Sequence, residues 1–493
     1  MSQLLDQVRA LVAEARAALG DGASGAALDQ IAARLDEPLR VAFAGRVKAG
    51  KSTLLNALVG EELAPTDAGE CTRIVTWYQN GHTYRVTMRL RDGTEQQARF
   101  SRADGALTVD LDGHTPDGID RLEVLWPSKR LAGVTLIDTP GLGSATAGAS
   151  QPAHRFLAIG DDDAHPAEAD AVIYLMRHLH QADLGFLEAF HDDALGVASP
   201  VNTIAVLSRA DEIGACRPEA MQTARRIAIR NRTDPRLRRL CQTVLPVSGL
   251  VAQAAMTLTE AEFRALRLLS EMPRADVDEL LLTVDRFTGD QLPAPVTPIE
   301  REDLLARLGL YGVRTSIRLI RLGAAASATE LANQLRDLSG IEDLRQLLAT
   351  LFTQRREVLK ARAALAALES LLRERPGPQT ERLSAELERI VASAHELTEL
   401  QIVSALRSGQ IPLQPDEYAE AERLLDEPGL SLAERLDVEP GGERAAILAA
   451  VERWRARAEH PLSSRPTVEA SRALARTLEG LLVDLDRAAP AAG

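Results

Sequence analysis

The stretch Gly45-Arg46-Val47-Lys48-Ala49-Gly50-Lys51-Ser52 places its glycines, lysine and hydroxyl at the GxxxxGK[ST] spacing that cradles phosphate groups. Glycines let the backbone wrap closely around an anion, and successive amide N–H groups and the positive end of the following helix then face it. Lys51 is the residue to reach the terminal phosphates, and Ser52 offers a hard oxygen to Mg2+. The apolar run LRVAFAG at 39–45 reads as the strand before this turn, and Thr53 continues into the helical stretch TLLNALVG after it. The ligand read from these residues is a nucleoside triphosphate with its magnesium ion. The chain contains four lysines, Lys48, Lys51, Lys129 and Lys360, and two of them fall in this loop. Arginine is the default cation elsewhere, so the loop calls for compact ammonium groups.

Downstream, VTLIDT ends in Asp138-Thr139-Pro140-Gly141, a DxxG at a strand end. Asp138 is suited to hold Mg2+ through water, and the Gly141 amide to meet the terminal phosphate. Between the two motifs, Thr72 in the segment 65–73 is the residue to close on Mg2+ when that phosphate is present. Base choice falls to Ser208-Arg209-Ala210-Asp211, which is similar to the [NT]KxD guanine motif. Asp211 would accept from the guanine N1–H and exocyclic amine, a pattern adenine lacks. Arg209 stands where lysine is usual and is expected over the base plane. Ser248-Gly249 falls where a short loop would border the base. Leu142 follows the DxxG in place of a water-orienting Gln, so charge developing in the transition state needs a cation. Lys48 is the first candidate, with Arg73 and Arg46 next.

The 493 residues carry 57 Lys+Arg against 71 Asp+Glu, a net charge of −14, which argues against a nucleic-acid partner. Three cysteines without a CxxC pair argue against a disulfide framework and a Cys-based zinc site and fit a reducing cytoplasm. The first twenty residues are interrupted by Asp6 and Glu14, unlike an export signal, and no apolar run is long enough to span a bilayer. Membrane contact, if any, is therefore expected to be peripheral, at the inner face of the plasma membrane.

Further apolar runs at 84–90, 121–126, 134–139, 171–176, 202–208 and 243–248 read as strands, several covered on both faces. From about residue 255 onward, leucines recur at helical spacing instead. The longest such segment, Gly340 to Arg375, would reach about 50 Å and suits a stalk. Residues 2–36 read as two helices.

Taken together, GRVKAGKSTLLNALVG, APTDAGECTRIVTW, LIDTPGLGS and LSRADEIG resemble the bacterial dynamin-like GTPases. The order of helical hairpin, nucleotide domain and helical tail is similar as well. The resemblance implies an α/β P-loop GTPase domain, with a mixed, mainly parallel sheet covered by helices, joined to an elongated all-α bundle. The expected division is a helical hairpin at 1–37 joining the bundle, a GTPase domain at 38–255, a helical connector at 256–339 and a stalk at 340–493. It further implies GTP/GDP as ligand, with Gly45 through Thr53, Ser208, Arg209, Asp211, Ser248 and Gly249 on the nucleotide. Ser52, Thr72 and Asp138 would lie on Mg2+, and Lys48, Lys51, Thr72, Arg73 and Gly141 in hydrolysis. A homodimer through the nucleotide face, a paralogous dynamin-like partner, and a role in membrane remodelling or envelope stress follow from the same resemblance. Eukaryotic dynamins commonly carry Ser, which helps hold a monovalent cation, where Lys48 stands here. Two alternatives remain at this point: a weakly active GTP-binding scaffold, and a ribosome-associated regulatory GTPase, against which the acidic charge counts.

Overall fold

The computed structural model describes residues 3–20, 22–65, 74–103, 106–140, 169–191, 202–375, 377–407, 409–426 and 430–488. Eleven strands occur among them: β1 (Leu39–Gly45), β2 (Val75–Asn80), β3 (Arg85–Leu90), β4 (Glu95–Ala98), β5 (Phe100–Ala103), β6 (Ala106–Val109), β7 (Ile119–Trp126), β8 (Val134–Asp138), β9 (Ala171–Met176), β10 (Thr203–Ser208) and β11 (Thr243–Val247). Nine form one sheet in the order β11-β10-β9-β1-β8-β2-β7-β3-β4. β1, β8, β9, β10 and β11 run parallel, and the sheet turns antiparallel where β2 meets β8. β9 and β10 are buried at every position, as their unbroken apolar sequences require. The parallel strands deliver all their carboxyl ends to one edge, where α/β folds place their sites.

Two cores flank the sheet. One unites Ala42, Ala44, Val172, Tyr174 and Leu207 with Phe263, Leu266, Leu304, Leu308, Leu331 and Leu335. The segment expected as a connector, 256–339, is thus folded onto the sheet. Its helices Glu260–Glu271 and Pro298–Arg321 each begin with a full capping box, Thr259 with Glu262 and Thr297 with Glu300. The other core packs Phe43, Leu54, Leu55 and Leu136 against Ile341 and Leu344 at the start of the long helix Ile341–Arg373.

A third core is the bundle. Leu4, Leu5, Val8 and Leu11 of the helix Gln3–Leu19 and Leu28 of Ala23–Asp36 join Leu365, Leu368, Leu387, Val403 and Trp454 in it. The long helix is therefore a strut with one end in the core beside the sheet and the other in the bundle. Its Lys360 donates to the carbonyls of Leu35 and Glu37, where the N-terminal hairpin enters β1. Arg407 of the bundle donates to the carbonyls of Cys241, at 2.8 Å, and Gln242, at 2.9 Å, just before β11.

Candidate nucleotide site

β1 ends at Gly45 with φ 143°, and a Cβ there would lie 2.5 Å from the Leu175 carbonyl oxygen, so the turn has room only for glycine. Lys48 (φ 63°) and Gly50 (φ 89°) bend the loop twice more before the helix Lys51–Val59 begins. Such bends turn successive N–H groups toward one point and make an anion cradle. Arg46, Val47 and Lys48 are exposed at its outer rim, and Ala49 is buried.

Lys51 is 8% exposed, and its Nζ donates to the Gly45 carbonyl at 3.2 Å. Burial pulls its ammonium below the usual lysine range, opposed by the charge of Asp138. The Ser52 hydroxyl donates to Asp138 Oδ2 at 2.7 Å. Asp138 stands at the end of β8, and its other oxygen, Oδ1, is buried without a hydrogen-bond partner among the described residues. Burial pushes this carboxyl up, against the pull of Lys51 and the Ser52 hydroxyl. A bare carboxylate oxygen beside a serine hydroxyl is a hard-oxygen set that fits Mg2+ with its water shell.

The base side is a crevice of about 140 Å³ bordered by Gly50, Thr53, Ser208, Arg209, Asp211 and Gly249 among others. Asp211 is 6% exposed; burial raises its carboxyl, while a hydrogen bond with the Ser248 side chain opposes the rise. Ser248 is fully buried and caps the helix Gly249–Thr257 by accepting from Val251 N. A Cβ on Gly249 would sit 3.3 Å from Leu54 N, so glycine lets the base loop pack directly on the phosphate-loop helix. Ser208, where Asn or Thr is usual, uses its hydroxyl to join β10 to β9, donating to the Met176 carbonyl at 3.3 Å. Arg209, at φ 50°, reaches Glu212 at 2.8 Å, and Glu212 also receives Arg177.

The structure thus gathers Gly45 to Thr53, Asp138, Ser208, Arg209, Asp211, Ser248 and Gly249 along one sheet edge. Thr72, Arg73 and Gly141 lie outside the described residues. One supporting residue escaped the sequence reading. Asn56, on the phosphate-loop helix, accepts from Leu63 N and Ala64 N and donates to the Ala64 carbonyl, which fixes the chain just beyond that helix. A buried Asn amid helical leucines was the signal.

Isoniazid-induced protein IniC of Mycobacterium tuberculosis is 41% identical over 460 residues, 93% of this chain and 92% of its own. The chain is a bacterial dynamin-like protein of the IniC family. Within it, residues 41–184 match the Dynamin family profile. The Bacterial dynamin-like protein of Nostoc punctiforme is 31% identical to this IniC-family chain over 158 residues, 30% of this chain and 21% of that one. A solved structure described as an oligomerised bacterial dynamin pair aligns over 98% of this chain and 75% of its own, at 14% identity and a TM-score of 0.34.

Proposed function

We propose that this protein binds GTP with Mg2+ and hydrolyses it, and that hydrolysis moves the helical bundle relative to the sheet. One observation carries the reading: Lys51, Ser52 and Asp138 converge beside a phosphate-cradling loop, with Asp138 Oδ1 left bare. Lys51 exchanges the Gly45 carbonyl for a phosphate oxygen, and the loop N–H groups orient the phosphate chain. Ser52 and Asp138, with Thr72, would hold Mg2+, which when bound neutralises charge on the phosphate oxygens. Asp211 accepts from guanine at two points.

With Leu142 in place of a water-orienting Gln, Thr72 and Gly141 position the attacking water and terminal phosphate, and a cation must meet the charge that develops. Lys48, exposed on the rim, fills that role, with Arg73 and Arg46 as the alternatives. A rim cation acts best when the nucleotide face is covered, which supports a homodimer formed through that face. The long helix, shared between the sheet core and the bundle core, is the element through which a change at the nucleotide would reach the bundle. We place the protein in the cytoplasm, working from the inner membrane face on membranes or envelope stress, alongside a paralogous dynamin-like GTPase. Among the described residues no helix is long and apolar enough to cross a membrane.

The test is phosphate release from GTP across a protein concentration series, with and without liposomes, using Lys51→Ala as the blank. Turnover per molecule that climbs with concentration supports the dimer, and stimulation by liposomes supports the membrane role. Tight GTP binding without phosphate release would replace the enzyme by a nucleotide-binding scaffold. A preference for ATP would sink the reading altogether.

A further inference from the structure

The loop that carries Asp211 continues into a backbone conformation that L-residues avoid. Gly214 (φ 66°, ψ 35°), Ala215 (φ 60°, ψ 43°) and Cys216 (φ 56°) are consecutive left-handed residues, and Arg209, two positions before Asp211, is left-handed as well. Isolated left-handed residues are common at Gly and Asn, but a run that includes Ala and Cys persists only where surrounding groups hold it.

The holding group comes from far along the chain. Arg314, on the helix Pro298–Arg321, donates through one guanidinium nitrogen to the carbonyls of Ala215 and Cys216, each at 2.9 Å, and through the other to the Leu281 carbonyl. A planar fork joined to three carbonyls fixes both the position and the tilt of the turn. The same helix approaches Asp211 itself. It is broken at Gly309 (φ 66°, ψ 169°), where a Cβ would lie 3.1 Å from Leu250 Cδ2 and 3.9 Å from Asp211 Oδ2. Leu250 borders the base crevice. Tyr311, one turn before Arg314, is buried at 2% exposure. One helix therefore backs the base-reading carboxylate and clamps the strained turn that follows it.

We infer that Arg314 is a positioning residue for guanine specificity: by clamping the left-handed turn 214–216, it holds the Asp211 carboxylate in the orientation needed to accept from both the N1–H and the 2-amino group of guanine. The inference rests on the reading of Asp211 as the guanine acceptor. Two parallel hydrogen bonds demand a fixed carboxylate plane, whereas a single one tolerates rotation. Hypoxanthine, which keeps the N1–H and lacks the 2-amino group, is the probe that separates the two.

The experiment compares equilibrium affinities for GTP and inosine triphosphate, with Mg2+, in the wild type, Arg314→Gln, Arg314→Lys and Gly309→Ala, each checked for folding by circular dichroism. The wild type should favour GTP by about tenfold or more, since a buried acceptor loses a partner with inosine. Arg314→Gln should reduce that ratio at least fivefold, mostly through weaker GTP binding. Arg314→Lys, whose ammonium can meet the same carbonyls from one point, should recover part of it. Gly309→Ala strains the helix break, whose φ 66° and ψ 169° suit glycine alone, and presses on Leu250 beside Asp211, so it should lower the ratio too. Arg314→Lys, the milder change, keeps the test available if Arg314→Gln does not fold. An equal loss of affinity for both nucleotides, with the ratio unchanged, would show that Arg314 only stabilises the domain and would overturn the inference. A wild type that fails to distinguish the two nucleotides would instead remove Asp211 from guanine recognition, and the inference with it.

Discussion

The Ser52 hydroxyl donates to Asp138 Oδ2 at 2.7 Å, joining residues 86 positions apart, while Asp138 Oδ1 meets no partner among the described residues. A buried carboxylate oxygen left bare is costly unless a ligand supplies its partner. Asp138→Asn should therefore cancel the gain in guanine-nucleotide affinity that Mg2+ gives the wild type, about tenfold or more, equivalent to about 1.4 kcal/mol. Titration of a fluorescent GTP analogue in Mg2+ and in EDTA checks this. Equal Mg2+ gains in both proteins would remove Asp138 from the metal.

Asp211 gives a pH dependence with a definite sign. Burial holds its carboxyl above the ordinary value of about 4, and only the ionised form accepts both guanine donors. GTP affinity should thus fall as pH drops through this raised value, earlier than an ordinary carboxylate would dictate. Stability without nucleotide moves the other way. The folded state keeps this proton to a higher pH than the unfolded state, so its contribution favours the fold at acid pH and is lost as pH rises through the folded value. Asp211→Asn should flatten the affinity profile, and binding measured from neutrality into the acid range decides it. A steep profile retained in the variant would assign the titration to another group.

Much of this site is legible in the residues themselves because its parts are local. β1, the turn and the helix after it are contiguous, and β9 and β10 announce themselves as unbroken apolar runs. β2 was hidden because VTWYQN mixes polar residues into a strand and follows closely on the segment that holds Thr72. The edge strands β4 and β5, EQQA and FSRA, carry too little alternation to stand out. Leucine spacing revealed the helices of 256–339 but not their destination, since an amphipathic stripe tells that a face is covered and not by what. Arg314 is one arginine in a chain full of them, and its contacts to Ala215 and Cys216 span 99 and 98 residues, so no local pattern could mark it.

Lys48 combines an exposed side chain with a left-handed backbone, φ 63°, so its charge and its conformation can be tested apart. Lys48→Gly suits the backbone and removes the ammonium. Loss of one preorganised transition-state cation commonly lowers kcat by about 10²-fold. We expect a kcat loss of that order in Lys48→Gly, with GTP affinity within about threefold of wild type. Stopped-flow phosphate release together with equilibrium binding measures both. Unchanged kcat would return the role to Arg73 or Arg46.

Gly340 begins the long helix at φ 79°, where a Cβ would lie 2.3 Å from the Pro246 carbonyl oxygen of β11. Its neighbour Ser339 accepts from Ser248 N at 2.9 Å, so the strut is bonded to the loop that borders the base crevice. Gly323 has a similar φ, 68°, but nothing stands within 4 Å of its Cβ position, and it serves as the control. Gly323→Ala should cost about 1 kcal/mol from backbone conformation alone. Gly340→Ala adds the collision with Pro246 and should cost about 3 kcal/mol or more, together with a several-fold loss of GTP affinity as Ser248 is displaced. Thermal unfolding and GTP titration of the two variants side by side isolate the contact. Equal losses in both would show that the junction between β11 and the long helix transmits nothing to the base loop.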